Sequence, residues 1–215
     1  GGVSTKNVRD YLSEPIVLGC GGSWIAKRDR IAERDWAGIA DTAREANPEA
    51  TIIVNNCCPF GRYAADGRVH LGPVYDDVMT PLTYLRRLHE ANVDFDVVGV
   101  QVYFPYTDMM TIGQLLEEYA RFGKPIHITE LGVRSEGGKR EGAGDWHQPW
   151  DEKVQADWME WFYTMTYARP EIEAVTWWDF QDPAFIDTSG FLREDGAPRE
   201  IFFRLLELER AWGVL

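Results

Sequence analysis

Lys124-Pro125-Ile126-His127-Ile128-Thr129-Glu130-Leu131-Gly132-Val133 is the stretch on which the fold turns. It is an apolar, β-prone run that sets one carboxylate where a strand gives way to a loop. Before it stand a helix-like segment, Thr111 to Phe122, and a Gly123-Lys124-Pro125 break. Helix, turn, buried strand and loop in that order describe a parallel β/α unit. A carboxylate at a strand end is also an ordinary surface feature, so Glu130 alone fits a bland role as readily as a catalytic one.

The same order recurs on both sides of this stretch. Asp35 to Ala46 has helix-forming composition and closes at Asn47-Pro48, and Ala50 to Val54 reads as a strand ending in Asn55-Asn56. Val78 to Ala91, with Leu82, Leu85 and Leu88 spaced by three, predicts the next helix, and Phe95 to Tyr103 the next strand. After the Glu130 strand, a helix at Glu152 to Tyr167 leads to a strand at Ala174 to Trp178, and a last helix covers Glu200 to Trp212. No G-x-G-x-x-G follows any strand, so the alternation argues for a (β/α) barrel of the TIM type over a dinucleotide-binding sheet.

Length and composition set outer bounds. A chain of 215 residues builds one sizeable core, which predicts a single domain over residues 1–215. The net charge of −13 argues against nucleic acid or an anionic membrane as partner, because a phosphate-binding surface must supply compensating cations. Nine Trp suit both core filling and stacking on sugar rings. Cys20, Cys57 and Cys58 show no metal-ligand spacing and read as free thiols or small buried residues, with a bridge from Cys20 to either of the others left open. No metal site or cofactor is expected. No apolar run reaches the length of a membrane span, and localisation is not written in the sequence.

In a barrel the C-terminal strand ends share one rim. Here they supply Asn55, Asn56, Gln101, Tyr103, Glu130, Trp177 and Trp178. Amides and a carboxylate hydrogen-bond sugar hydroxyls while indoles stack on C–H faces, so the rim predicts a pocket for a polyhydroxylated ring. Glycosidic hydrolysis normally takes two carboxyl groups. The best second candidate is Glu14, in Val8-Arg9-Asp10-Tyr11-Leu12-Ser13-Glu14-Pro15, placed at the end of an earlier strand. The alternative is a helix over Asn7 to Leu12 followed by a strand at Pro15 to Gly19, which leaves no acid at a strand end.

The segment ending Asp10-Tyr11-Leu12-Ser13-Glu14-Pro15 resembles the Trp-Asp-Val-Val-Asn-Glu-Pro/Ala motif of glycoside hydrolase family 10, the endo-β-1,4-xylanases. Ala43 to Thr51 is similar to the family's helix end before strand 5, and Asn55-Asn56 falls on its Asn-Asp pair. Ile128-Thr129-Glu130-Leu131 matches its nucleophile motif, Gln155-Ala156 its Gln-Ala pair, and Phe191 to Phe203 its closing segment. The register agrees, with 116 residues from Glu14 to Glu130 and 41 from Glu14 to Asn55.

The resemblance implies the C-terminal part of a (β/α)8 barrel, about strands 4 to 8, that cleaves β-1,4-xylosidic bonds in xylan with retention. Glu130 would be the nucleophile and Glu14 the acid and base. Asn55, Asn56, Gln101, Tyr103 and Trp178 would bind substrate. It also implies a polysaccharide or oligosaccharide substrate, a secreted or periplasmic location, and completion of the barrel by a preceding segment or partner chain. Ser13, Tyr103, Asn56 and Gly132 depart from the family's Asn, His, Asp and Asp. Those changes keep open another retaining glycosidase, such as a mannanase, glucanase or arabinosidase, and a non-catalytic carbohydrate-binding barrel. Strict alternation sets His127 on the face opposite Glu130 and Trp177 opposite Trp178. Trp146, His147 and Trp150, in the loop from Ser135 to Trp150, are expected either on the aglycone side or as loop packing.

Overall fold

The computed structural model describes residues 3–4, 6–17, 20–21, 24–25, 27–57, 80–103, 108–137 and 149–214. Cys58, His70, Trp146 and His147 lie outside the described residues. In chain order the elements are α1 (Val8–Leu12), α2 (Arg28–Glu33), α3 (Trp36–Ala46), β1 (Ile53–Asn56), α4 (Pro81–Glu90), β2 (Val97–Tyr103), α5 (Met109–Ala120), β3 (Ile126–Gly132), α6 (Glu152–Tyr167), β4 (Ile172–Trp177) and α7 (Glu200–Ala211). The strands form one sheet in the order β1-β2-β3-β4, with β2, β3 and β4 parallel and a helix preceding each strand. This sequential parallel arrangement is a part of the (β/α)8 barrel.

Local chemistry starts the helices, α5 two residues before the expected Thr111. Asp35, Asp108 and Asp151 each accept a hydrogen bond from the backbone three residues on, at 3.1, 2.8 and 2.7 Å, and so cap α3, α5 and α6. One expectation fails at the N-terminal side. The segment before Glu14 is helix α1 and no strand, with Ser13 as its C-cap, so Glu14 stands exposed in the turn that follows. The Asn7 carboxamide accepts the Ser4 amide at 2.7 Å and fixes the turn into α1, whose Val8 is buried while Tyr11 is not. Among the described residues the sheet therefore has four strands, where five were expected.

The chain packs as two compact units, Gly1–Val54 with Arg86–Val97, and Asn55–Leu85 with Val98–Leu215. In the first, Arg44 of α3 is the tie: its guanidinium bonds Asp94 at 3.1 Å, both oxygens of Asp96 at 2.8 and 3.0 Å, and the Ala50 carbonyl. The second unit holds most of the apolar core. Ile126, Ile128 and Leu131 of β3 are fully buried, as are Ile112 and Leu116 of α5 and Trp158, Met159 and Phe162 of α6. Each such side chain contributes about 1.5–3 kcal/mol by leaving water. Met159 and Ala156 pack with Phe191 and Ile201, and Trp177 and Leu205 close over that cluster.

Candidate active site

The site is built on the C-terminal end of β3, and a β-bulge shapes it. Pairing between β2 and β3 steps from Val100↔Ile128 to Gln101↔Glu130, which leaves Thr129 as an extra residue on β3. Ile126, Ile128 and Leu131 remain on the buried side. Thr129 and Glu130, successive residues that strict alternation would send to opposite faces, both reach the side chain of Asn55, so they share one face. His127 shares the face of Thr129 by alternation and so lies on Glu130's side, which corrects the expectation of opposite faces. Its Nε2 pairs with Glu173 of β4 at 3.4 Å.

Glu130 is held from the neighbouring strands. Gln101 Nε2 donates to its Oε1 at 2.7 Å, and Asn55 Nδ2 donates to the same oxygen at 3.4 Å. Two amide donors on one carboxylate oxygen fix the orientation of the group. Asn56 does not join this group. It is buried, and its amide donates to the Gly99 carbonyl at 3.2 Å, a bond that fastens β1 to β2. The physical reason is the two-residue period of β1, which can present only one of two adjacent Asn residues to the site.

Tyr103, at the end of β2, is 5% exposed, and its hydroxyl meets the Glu130 carboxylate without a well-formed hydrogen bond. Burial first, then the charge and the hydroxyl contact of Glu130, and last Asp179 and Cys57, push its ionisation far above the ordinary phenol range. It is thus a permanently protonated donor beside the Glu130 carboxylate. Its ring meets Phe185 edge-on at 5.4 Å, and one of its carbons lies 3.4 Å from where a Cβ on Gly132 would stand. A Cβ at position 132 would therefore sit in ordinary van der Waals contact with the phenol ring.

The indoles at the end of β4 separate as alternation requires. Trp177 Nε1 donates to the Ser189 carbonyl at 3.0 Å and its ring packs on Phe191, whereas Trp178 is half exposed. Asp179 then closes the next loop on itself: its Oδ2 accepts from Phe185 N at 3.1 Å, Ile186 N at 3.5 Å and the Ser189 hydroxyl at 3.0 Å. From α6, the fully buried Gln155 donates to the carbonyls of Val133, Thr188 and Ser189 at 2.9, 3.3 and 3.4 Å. One amide thus ties the loop after β3 to the loop after β4.

Sequence reading missed Thr129, Asp179 and Phe185. Asp179 directly follows the Trp pair, and that adjacency to a strand end was the available signal. Trp150 is buried and its amide bonds Gly137 at 2.9 Å, which makes it loop packing. Cys20 and Cys57 are free thiols, so no bridge joins them. Among the described residues, no three of His, Cys, Asp and Glu gather as metal ligands, and no helix is long and apolar enough to cross a membrane. A groove between α5 and α6, lined by Met110, Gln114, Glu117 and Trp161, contains none of the strand-end residues.

Comparison with known proteins bears on this site. The sequence model of glycosyl hydrolase family 10 matches residues 30–185. Endo-1,4-beta-xylanase 2 of Arabidopsis thaliana is 24% identical over 189 residues, covering 86% of this chain and 15% of that protein. Over a shorter stretch of 51 residues, 24% of each chain, the 2-dehydro-3-deoxy-phosphogluconate aldolase of Dickeya dadantii is 47% identical. Among solved structures, xylanase XynB from Paenibacillus barcinonensis superposes with a TM-score of 0.58 at 17% identity, covering 90% of this chain and 58% of that one. Xylanase 10B from Thermotoga maritima gives 0.57 at 18% identity, covering 89% and 56%. The chain thus spans little more than half of these structures and a much smaller part of the curated relatives.

Proposed function

The chain belongs to glycosyl hydrolase family 10, and from that premise we propose that it carries the nucleophile side of a retaining glycosidase acting on β-1,4-linked xylan. Glu130 attacks the anomeric carbon through Oε2 and forms a covalent glycosyl-enzyme intermediate, which water then hydrolyses. Gln101 holds the carboxylate in its orientation. Tyr103 donates toward it or toward a sugar hydroxyl, and Trp178 offers its exposed face to the ring. The observation that carries the reading is the 2.7 Å bond from Gln101 to one oxygen of a strand-end carboxylate, which leaves the other oxygen free. We do not assign the acid to Glu14, which follows helix α1 and precedes the part of the chain that matches the family.

A 2-deoxy-2-fluoro-xylobioside with a good leaving group tests this, because it stalls after the first step. The expected result is a covalent adduct on the peptide containing Glu130, found by mass spectrometry, together with reducing sugar released from xylan by the uninhibited protein. An adduct on another residue, or sugar release with inversion at the anomeric carbon, would overturn it. Release from mannan or mixed-linkage glucan but not from xylan would move the substrate to the wider group of retaining glycosidases.

A further inference from the structure

We propose that Thr129 is a positioning residue for Glu130 and acts through Asn55; this rests on the nucleophile reading above. The bulge that leaves Thr129 without a partner on β2 brings Glu130 onto the face that the Thr129 hydroxyl already occupies. There Thr129 Oγ1 donates to Asn55 Oδ1 at 2.6 Å, and Asn55 Nδ2 donates to Glu130 Oε1 at 3.4 Å. The two bonds use opposite ends of one carboxamide. With Oδ1 engaged by Thr129, the NH2 group must face the carboxylate, whereas the flipped amide would set a carbonyl oxygen against it. Asn55 reaches this place from β1, with β2 standing between it and β3, so a long reach needs a tether to hold its direction. Thr129 supplies that tether from inside β3 itself. Gln101 and Asn55 then converge on Oε1 from two strands and fix which oxygen of Glu130 remains for attack. The extra residue in the strand thus does two things: it re-aims the nucleophile and places the group that orients one of its donors.

Thr129→Val keeps the volume and β-branching and removes the hydroxyl, while Thr129→Ser keeps the hydroxyl. Two readouts apply, one independent of turnover. In the unliganded protein, the Asn55 side-chain amide signals are expected to move toward those of a free carboxamide in Thr129→Val and to stay near the parent positions in Thr129→Ser. With xylo-oligosaccharide, kcat in Thr129→Val is expected to fall about tenfold, the scale of one lost orienting bond, with KM within twofold. Thr129→Ser restores it, and Asn55→Ala combined with Thr129→Val loses no more than either alone. Unmoved Asn55 signals in Thr129→Val, or additive losses in the double variant, would overturn the relay. If the parent releases no sugar, the hydrolase reading falls and the amide signals still decide the relay.

Discussion

Tyr103 shows what a single residue contributes to this site at its own cost. A buried hydroxyl that meets the Glu130 carboxylate without a well-formed hydrogen bond recovers only part of its lost hydration, an imbalance of up to about 1–3 kcal/mol. Tyr103→Phe removes that cost and keeps the ring against Phe185, so the melting temperature is expected to rise by about 2–4 °C for each kcal/mol recovered. In the same variant turnover should fall, because the donor next to Glu130 is lost. Calorimetry and steady-state rates on one preparation check both, and a variant less stable than the parent would show that the hydroxyl has a partner in solution. The upward push on the phenol also fixes a pH dependence. A group that ionises only far above the ordinary range contributes no alkaline fall in activity, so any such fall below about pH 10, where an unperturbed phenol titrates, must come from another group. Glu130, Gln101 and Tyr103 were legible in the sequence because a strand end at the mouth of a barrel announces itself. Asn56 was misread because residue type alone does not say which of two adjacent Asn residues faces in.

At the scale of elements, caps and periodicity carried most of the information. Helix α6 was expected at Glu152 to Tyr167 and spans those residues, since Asp151 caps it and its apolar positions recur at helical spacing. The bulge in β3 was not legible, because an extra residue is defined only against the partner strand. Nor was helix α1, whose short sequence fits either a strand or a turn of helix until Val8 is seen to be buried. Gln155 matters as a cross-tie between elements. Gln155→Leu orphans three carbonyl contacts in a buried place and is expected to cost about 2–4 kcal/mol, read from the urea midpoint. The pairing of α6 with α7 brings a pH limit. Arg204 bonds Asp157, Glu160 and Glu200 at 2.8, 2.6 and 3.0 Å, and Lys153 reaches Asp157 at 2.5 Å. Burial works to raise the Asp157 carboxyl, and the bonds from Lys153 and Arg204 outweigh it, so it titrates below the ordinary range. A depressed carboxyl stabilises the fold above its unfolded value of about 3.9 and loses that contribution as pH falls through the folded value. The stability difference between the parent and Asp157→Asn should therefore be largest near neutrality and shrink below about pH 4, and denaturation curves at pH 6, 4 and 3 would show it.

Across the whole molecule, the family match covers one stretch and not the rest. The family match begins at residue 30, which leaves the first 29 residues and Glu14 without its support. Over 51 residues the chain is 47% identical to an aldolase, about twice its identity to the xylanase over 189. A register counted back from Asn55 to Glu14 runs out of the part that the family matches, which starts at residue 30. The fold agrees, since the residue before the expected acid ends a helix. Retaining chemistry needs the two carboxyl groups about 5–5.5 Å apart, a separation that rigid strand ends maintain and an exposed turn does not. Glu14→Gln is therefore expected to change xylan hydrolysis by less than about twofold, whereas Glu130→Gln should lose on the order of 10³-fold or more, as removal of a nucleophile does. Azide sharpens the comparison, because a small anion replaces the missing base in the second step and restores activity only where the acid and base residue has been removed. Restoration in Glu14→Gln would return the acid to that residue. No effect in Glu14→Gln, set against a dead Glu130→Gln, would place the acid on another residue.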